Sequence, residues 1–138
     1  MKAADIKKVS LAEVPPNRRR GGDIRVLLGP GTVGATSGFM GAGTLAAGER
    51  VTEHQHPYSE EFVYVVSGSL TVELEGTHLV RLGPGEGLMV PKGTRHRLAN
   101  HGTEPAFAVF HSSPLAPRPD LGHIDTEPVA RDEPGPQV

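Results

Sequence analysis

The chain has 138 residues, a formal net charge of -2 and no cysteine, so disulfides, thiolate metal ligands and cysteine nucleophiles are excluded. This length suits one domain with one core, and the charge balance argues against nucleic acid or a membrane surface as the main partner. Because residues 1–10 carry charged side chains and no apolar run, we expect no signal peptide, no transmembrane segment and a cytoplasmic location.

The first segment, residues 1–22, is predicted to be an N-terminal arm. The sequence Val14-Pro15-Pro16-Asn17 interrupts any regular element. The basic run Arg18-Arg19-Arg20 follows, and we interpret it as a solvated surface, which is the usual setting of charged side chains.

Residues 23–113 are predicted to form one all-β domain. The 18 glycines and 13 prolines of the chain separate short apolar stretches, as is typical of sandwiches and barrels. Leu70, Val72 and Leu74 alternate with polar residues, which indicates a strand with one buried face. Short strands at regular turn spacing predict a double-sheet jelly-roll barrel. The predicted strands are 24–28, 36–47, 49–56, 61–66, 70–74, 78–82, 88–90, 95–99 and 106–111.

The last segment, residues 114–138, is predicted to be a proline-rich tail. Its prolines occupy positions 114, 117, 119, 128, 134 and 136. Because proline cannot donate a ladder hydrogen bond, this segment is not a central strand. We expect it to wrap the barrel or a neighbouring subunit.

Two clusters of histidine, glycine and proline predict a metal site inside the barrel. The first cluster has the pattern G-x5-H-x-H-x4-E-x6-G and comprises Gly48, His54, His56, Glu61 and Gly68. The second has the pattern G-x5-P-x-G-x2-H-x3-N and comprises Gly85, Pro91, Gly93, His96 and Asn100. The glycines and prolines shape the turns that place the ligands.

His54, His56 and His96 are the predicted imidazole ligands. Histidines at i and i+2 return to one face only on an extended backbone. Three imidazoles with a carboxylate suit a divalent transition metal. We interpret the other histidines at positions 78, 101 and 123 as packed or exposed side chains without a ligand role.

The fourth ligand is contested between Glu61 and His111. Glu61 begins the strand after the His-x-His turn, whereas its neighbour Glu60 is interpreted as a solvated carboxylate. His111 lies as far beyond the last turn as His96 lies before it, which would return both to the same end of the barrel. We expect Glu61 to be a ligand or a nearby base, and His111 to be a ligand or an outer partner of the site.

On these residues the chain resembles the cupin superfamily, whose two motifs it matches from Gly48 to Asn100. The resemblance implies the double-stranded β-helix form of the jelly roll. Cupins include dioxygenases, isomerases, decarboxylases, storage proteins and sugar-sensing regulators, so the motifs alone leave the reaction open.

A narrower resemblance is to the small cupin-type cyclases of bacterial aromatic polyketide pathways, such as those to tetracenomycin, resistomycin and spore pigments. It is carried by the segments 19–23, 36–41, 56–62, 110–111, 114–119 and 121–123. The resemblance implies that the protein cyclises or aromatises a poly-β-ketone, which an acyl carrier protein could deliver. It also favours His111 as a fourth histidine.

The implied mechanism is an aldol-type condensation inside an apolar barrel. A Lewis-acidic metal would polarise the accepting carbonyl, Glu61 or a hydroxide on the metal would remove the α-proton, and His111 would return a proton during dehydration. Zinc is the expected metal, with nickel, iron, manganese and cobalt chemically possible. The predicted cavity-lining residues are Phe39, Met40, Val63, Val65, Leu88, Val90, Phe107 and Val109.

Two other classes of function use the same residues. A cupin dioxygenase or monooxygenase would need a metal that activates oxygen, whereas a non-enzymatic ligand-binding cupin would need no metal. We also expect a homodimer formed through residues 1–30, since small barrels leave strand edges that a neighbour can cover.

Overall fold

The computed structural model describes residues 2–135, and it consists of two five-stranded antiparallel sheets. One sheet has the order β1-β2-β9-β4-β7 and the other β10-β3-β8-β5-β6. The strands are β1 (Asp23–Leu28), β2 (Phe39–Leu45), β3 (Arg50–Gln55), β4 (Glu60–Ser67), β5 (Leu70–Leu74), β6 (His78–Leu82), β7 (Gly87–Val90), β8 (His96–Ala99), β9 (Ala106–Ser113) and β10 (Ile124–Asp125). No helix within residues 2–135 is long and apolar enough to cross a membrane.

The predicted all-β fold is confirmed, and nine of the strands fall in the predicted stretches. The short helix α1 (Pro30–Val33) and the strand β10 in the tail were not predicted, and neither were three single-turn 3-10 helices at Ala3–Asp5, Leu11–Glu13 and Pro119–Leu121. A strand of two residues has no alternating pattern that a sequence could display. β10 exists because it pairs with the edge of β3, where Asp125 lies opposite His54.

The hydrophobic core lies between the two sheets and draws on both. Inward residues of β4, such as Val63 and Val65, pack with inward residues of β5, such as Leu70 and Val72. Gly41 on β2 leaves no room for a side chain, because a Cβ there would lie 2.5 Å from the ring of Phe110 and closer still to the carbonyl oxygen of Arg25. The buried apolar core consists of Leu45, Val51, Val63, Val65, Leu70, Val72, Leu82, Ala106 and Ala108.

The tail packs onto the barrel and onto the arm of the same chain. Arg20 and Arg19 of the arm pair with Asp125 of β10 at 2.7 and 3.2 Å. On β8, Arg97 pairs with Glu127 through Nε at 2.9 Å. Further along, the backbone N–H of Arg131 donates to the carbonyl of Arg19. The two ends of the described chain are therefore held together by contacts between residues more than 100 positions apart.

The pairing of β9 with β4 decides which residues face the barrel interior. Ser112, Phe110 and Ala108 lie opposite Glu61, Val63 and Val65. Since cross-strand partners share a face, the even-numbered residues of β9 point inward and the odd-numbered ones outward. The predictions that Phe107 and Val109 line the interior are therefore wrong by one residue.

Candidate metal centre

Four side chains from both sheets converge at one point of the barrel interior. One ligand atom from each of His54, His56, Glu61 and His96 lies within 4.8 Å of the others. The imidazole centroids of His54 and His96 are 4.3 Å apart, and those of His56 and His96 are 5.2 Å apart. These are the three histidines and the carboxylate that the motif spacing predicted as neighbours.

Backbone carbonyls orient all three imidazole rings. The Nδ1 atom of His54 lies 2.7 Å from the carbonyl oxygen of Thr52, and that of His96 lies 2.9 Å from the carbonyl oxygen of Thr94. The Nδ1 atom of His56 lies 3.1 Å from the carbonyl oxygen of Gly122 in the tail. Each Nδ1 is thus placed to donate its proton, which leaves the Nε2 lone pair available for a ligand.

The donor arrangement fits a bound cation. The Nε2 atoms of His56 and His96 lie 3.0 and 2.9 Å from the same oxygen, Oε2 of Glu61. Because a neutral imidazole that donates through Nδ1 has a lone pair on Nε2, two lone pairs would face one carboxylate oxygen. A proton or a metal ion between these groups removes that repulsion. Three nitrogens and one oxygen form a donor set that divalent transition metals accept.

The protonation states of the buried groups also suit a metal. Burial lowers the pKa of His54 well below its ordinary value of 6.5, so this ring is neutral near pH 7. Burial by itself raises the pKa of Glu61, but its hydrogen-bonded partners His56 and His96 outweigh burial and hold it well below 4.5. Burial lowers the pKa of His96, but its hydrogen bond to Glu61 outweighs burial and raises that pKa above its ordinary value, which favours a proton between the two groups. A bound metal ion would replace this proton, because a neutral imidazole beside an ionised carboxylate is the state in which both bind metal.

A local irregularity in β3 brings His54 to the interior. Val51 packs in the core, and strict alternation would place His54, three residues later, on the opposite face. The pairing of β3 with β8 shifts register between Val51 and His54, after which His54 lies opposite His96. Such a shift returns the side chain to the buried face.

The structure places His111 outside this cluster, which corrects the prediction that it returns to the same end of the interior as His96. His111 is exposed on the outer face of its sheet, opposite Met40 on β2 and Phe62 on β4. Its ring centroid lies 6.0 Å from that of Phe62. The prediction failed because the face of His111 follows from the register of β9, whereas its distance from the turn does not determine it.

The cluster borders a cavity of about 360 Å³. Of the predicted lining residues, Phe39 and Val63 contribute to the wall. Met40 is 38% exposed on the outer face. The remaining predictions are also corrected: Val65, Leu88 and Val90 pack in or against the core without lining the cavity, and Phe107 and Val109 lie on the outward face of β9.

The cavity wall has two parts. The strand wall consists of lining residues on the strands, among them Val63, Leu70 and Phe110. The tail wall consists of Leu115, Ala116, Pro117, Pro119, Gly122 and His123. Because both parts are mainly apolar, the cavity suits a ligand with a large apolar surface and few polar groups.

Two polar residues of the wall were misread from the sequence. Arg20 was predicted to be solvated but is only 8% exposed and lines the cavity. His123 was interpreted as having no part in the site, yet it lines the same cavity. Burial, reinforced by the charge of Arg20, lowers the pKa of His123 to about 4, so the ring is neutral near pH 7. No local pattern around either residue indicates burial.

The comparisons with known proteins agree with this geometry. The cupin domain family matches residues 42–111. The chain is 59% identical over 120 residues to protein SchB of Streptomyces halstedii, covering 86% of each chain. It is 54% identical over 122 residues to the tetracenomycin polyketide synthase protein TcmJ of Streptomyces glaucescens, covering 88% of this chain and 81% of that protein.

A solved structure has the same fold. It is a protein with a double-stranded beta-helix domain from Klebsiella pneumoniae, which superimposes with a TM-score of 0.70 at 19% identity and covers 88% of this chain and 97% of that one. The matched family segment, residues 42–111, contains all four clustered side chains, and the relatives are similar over most of their length. The chain therefore belongs to the cupin family, among the small cupin proteins related to aromatic polyketide biosynthesis.

Proposed function

We propose that this protein is a metal-dependent polyketide cyclase that promotes the aldol-type cyclisation and aromatisation of a poly-β-ketone. The observation that carries the proposal is the convergence of His54, His56, Glu61 and His96 beside a mainly apolar cavity. The similarity to a tetracenomycin polyketide synthase protein supports the substrate class. Delivery of the chain on an acyl carrier protein is part of the same proposal.

The four clustered side chains would hold one divalent ion, and zinc is the metal that we propose. When bound, the ion would act as a Lewis acid that polarises a carbonyl oxygen of the substrate. The Nδ1 contacts of His54 and His96 to backbone carbonyls would keep the two Nε2 atoms aimed at the ion. The absence of sulfur in the donor set agrees with zinc but does not select it over other divalent metals.

The reaction needs proton transfers that the chain's own groups can assist. A methylene between two carbonyls loses a proton, its carbon forms a bond to a distant carbonyl carbon, and loss of water then completes the ring. Glu61 is ionised near pH 7 because of its two histidine partners, so the carboxylate oxygen that does not hold the ion could accept the methylene proton. His111 has no place in this scheme because it lies on the outer face.

The cavity would contribute by folding the substrate and excluding water. The edge-to-face pair of Phe39 and Phe110, with ring centroids 6.4 Å apart, forms an apolar surface in the wall. The tail wall adds Leu115 and Pro117. In a flexible chain the methylene carbon rarely meets the carbonyl that it attacks. A cavity that holds the two groups close together lowers the entropic part of the barrier.

The decisive experiment compares His54→Ala and His56→Ala with the wild type in metal content and in the product profile of a reconstituted polyketide pathway. We expect both variants to lose the metal and the cyclised product together. His101→Ala is the matched control, because His101 is exposed in a turn, and it should retain both. An unchanged product profile in a metal-free variant would overturn the cyclase proposal.

The same preparations separate the proposal from the oxygenase class and from a non-enzymatic cupin. Elemental analysis that finds zinc, with no oxygen uptake during turnover, supports a cyclase. Iron together with oxygen consumption would contradict the cyclase and favour an oxygenase. Ligand binding that needs neither metal nor turnover would favour a binding protein.

We propose further that the protein forms a homodimer through residues 1–30. β1 is the edge strand of its sheet, and in the described chain the outer side of β1 is met by an isolated bridge between Asn17 and Ile24. A strand edge of this kind is a template for pairing with a second copy. Light scattering should give the mass of a dimer, and a monomeric mass would contradict the proposal.

A further inference from the structure

Arg20 is a buried cation with an unused hydrogen-bond donor. Its side chain makes one hydrogen bond within residues 2–135, from Nε to Oδ1 of Asp125 at 2.7 Å. The Nη2 group is buried and has no partner within that range. A guanidinium has five N–H donors, and a buried donor without a partner is costly because its hydration is lost and not replaced.

The carboxylate that compensates Arg20 is shared. Asp125 also pairs with Arg19, whose Nη2 lies 3.2 Å from Oδ2. One carboxylate thus serves two guanidinium groups. Of the two arginines, Arg20 is the one that lines the cavity, and the same cavity is lined by His54, His56 and Glu61. Arg20 therefore places positive charge in the wall that also carries the proposed metal ligands.

We infer that Arg20, in the cavity wall beside the metal cluster, binds an anionic group of the ligand. The group is one whose negative charge is delocalised over two oxygens. Two sources have this chemistry, namely the enolate of a 1,3-diketone and a carboxylate. The planar guanidinium matches either one because two parallel N–H groups can face two oxygens. This inference deepens the proposed function, on which it rests for the ligand class.

The role would be specific to the anionic form of the substrate. An enolate carries the charge that develops when the methylene proton leaves, so a fixed cation near it stabilises the reactive form. A carboxylate at the end of the chain would instead be held for orientation. In both cases Arg20 contacts the ligand directly, and Asp125 positions it.

The test measures binding of two matched pairs of probes to the full chain by calorimetry, after chelator treatment has removed any metal. Benzoylacetone, at a pH above its ionisation, is compared with its 2,2-dimethyl analogue, which cannot form an enolate. Benzoate is compared with benzamide. We expect the wild type to bind the anion more tightly than its neutral partner in at least one pair. Preference for the benzoylacetone anion would identify an enolate as the bound group, and preference for benzoate would identify a carboxylate.

Arg20→Gln should weaken binding of the preferred anion by about tenfold or more, as expected for a lost charge-assisted hydrogen bond, and should leave its neutral partner unchanged. Arg19→Gln is the matched control, since Arg19 shares Asp125 but is not in the cavity wall, and it should bind like the wild type. If Arg20→Gln does not fold, Arg20→Lys decides: it should also lose the preference several-fold, because an ammonium cannot reproduce the planar pair of donors.

Two results would overturn the inference. One is a wild type that does not prefer the anion in either pair. The other is an unchanged preference in whichever Arg20 variant folds. Because binding is measured without metal and without turnover, failure here leaves the cyclase proposal standing, and loss of cyclase activity in the histidine variants leaves this inference standing.

Discussion

The strand wall and the tail wall enclose one cavity but are held in place by different forces. In the strand wall, His54 and His96 are opposite residues of two paired strands, and Leu70 belongs to the buried core. In the tail wall, residues 115–123 contribute nothing to that core. The tail is instead attached by discrete contacts, such as the hydroxyl of Ser59 to the carbonyl of Pro114.

This difference indicates how the site could admit a ligand. A strand held by ladders on both sides opens only with much of the barrel, whereas a segment held by a few contacts opens locally at lower free energy. Ligand entry should therefore move the tail wall and leave the strand wall in place. The imidazole of His56 depends on both walls. His56 directly follows the last residue of β3, and its ring is oriented by the carbonyl of Gly122 in the tail wall.

The largest expected effect is in the strand wall. Leu70→Ala removes a side chain that is 2% exposed and should lower the free energy of unfolding by about 2–5 kcal/mol, since the cavity that it leaves adds to the lost apolar burial. Leu115→Ala, in the half-buried tail wall, should cost less than half as much. Urea unfolding of both variants checks this, and equal costs would remove the distinction between the two walls.

The next effect is on the metal site and comes from the tail. Deletion of residues 114–138 removes the carbonyl of Gly122 that orients His56, so we expect zinc affinity to fall about 10–100-fold, as for other losses of an outer partner of a metal ligand. Competition with a chelator measures this. Arg118→Ala, which removes an exposed ion pair with Asp120, should leave the affinity unchanged. An unchanged affinity after deletion would mean that the strand wall alone defines the site.

A smaller effect concerns the anchoring of the tail and depends on pH. The hydrogen bond from Arg97 lowers the pKa of Glu127 below its ordinary value of 4.5. The stabilisation is therefore present above the pKa of the unfolded chain and is lost as the pH falls through the lower folded value.

Glu127→Gln should reduce the free energy of unfolding at pH 7 by about 1 kcal/mol, because the pair is only partly exposed. Below about pH 4 the difference between the variant and the wild type should shrink. Denaturant unfolding across this range measures it. A difference that stays constant with pH would show that the carboxylate charge is not what anchors the tail.

The smallest expected effect belongs to the outer face of the barrel. His111→Ala should leave zinc affinity and metal stoichiometry unchanged and alter stability by less than about 0.5 kcal/mol, as for other exposed positions. Elemental analysis and thermal unfolding check both. Loss of the metal in this variant would contradict the outward orientation of His111 and would support a metal site with four histidine ligands.

Sequence reasoning identified the clustered residues because their signals are local. The spacing of His54 and His56 implies extended backbone. Pro91 and Gly93 form the turn before His96 and so determine where the strand that carries His96 begins. Gly68 and Gly85 have φ of 73° and 82°, as the predicted tight turns require. Asn100 also acts within its turn, since its side-chain amide donates to the carbonyl of Glu104 and its side-chain oxygen accepts from the backbone N–H of Gly102.

The errors concern residues whose neighbours are distant in sequence. The faces of Phe107, Val109 and His111 depend on how β9 pairs with β4, and a shift of one residue reverses them all. Arg20 is buried because β10 supplies its partner Asp125, 105 positions later. A short basic run has the same local appearance whether it is solvated or covered.

By itself the sequence determined the all-β fold, most strands, and the three histidines of the candidate metal centre, because turn chemistry and alternation act over a few residues. It left the fourth position open between Glu61 and His111, and the structure places Glu61 in the cluster. The tertiary structure decided which face of β9 is internal, that the tail completes the cavity, and that Arg20 and His123 belong to the wall. Those features depend on strand register and on contacts between the two ends of the chain, and neither leaves a local pattern.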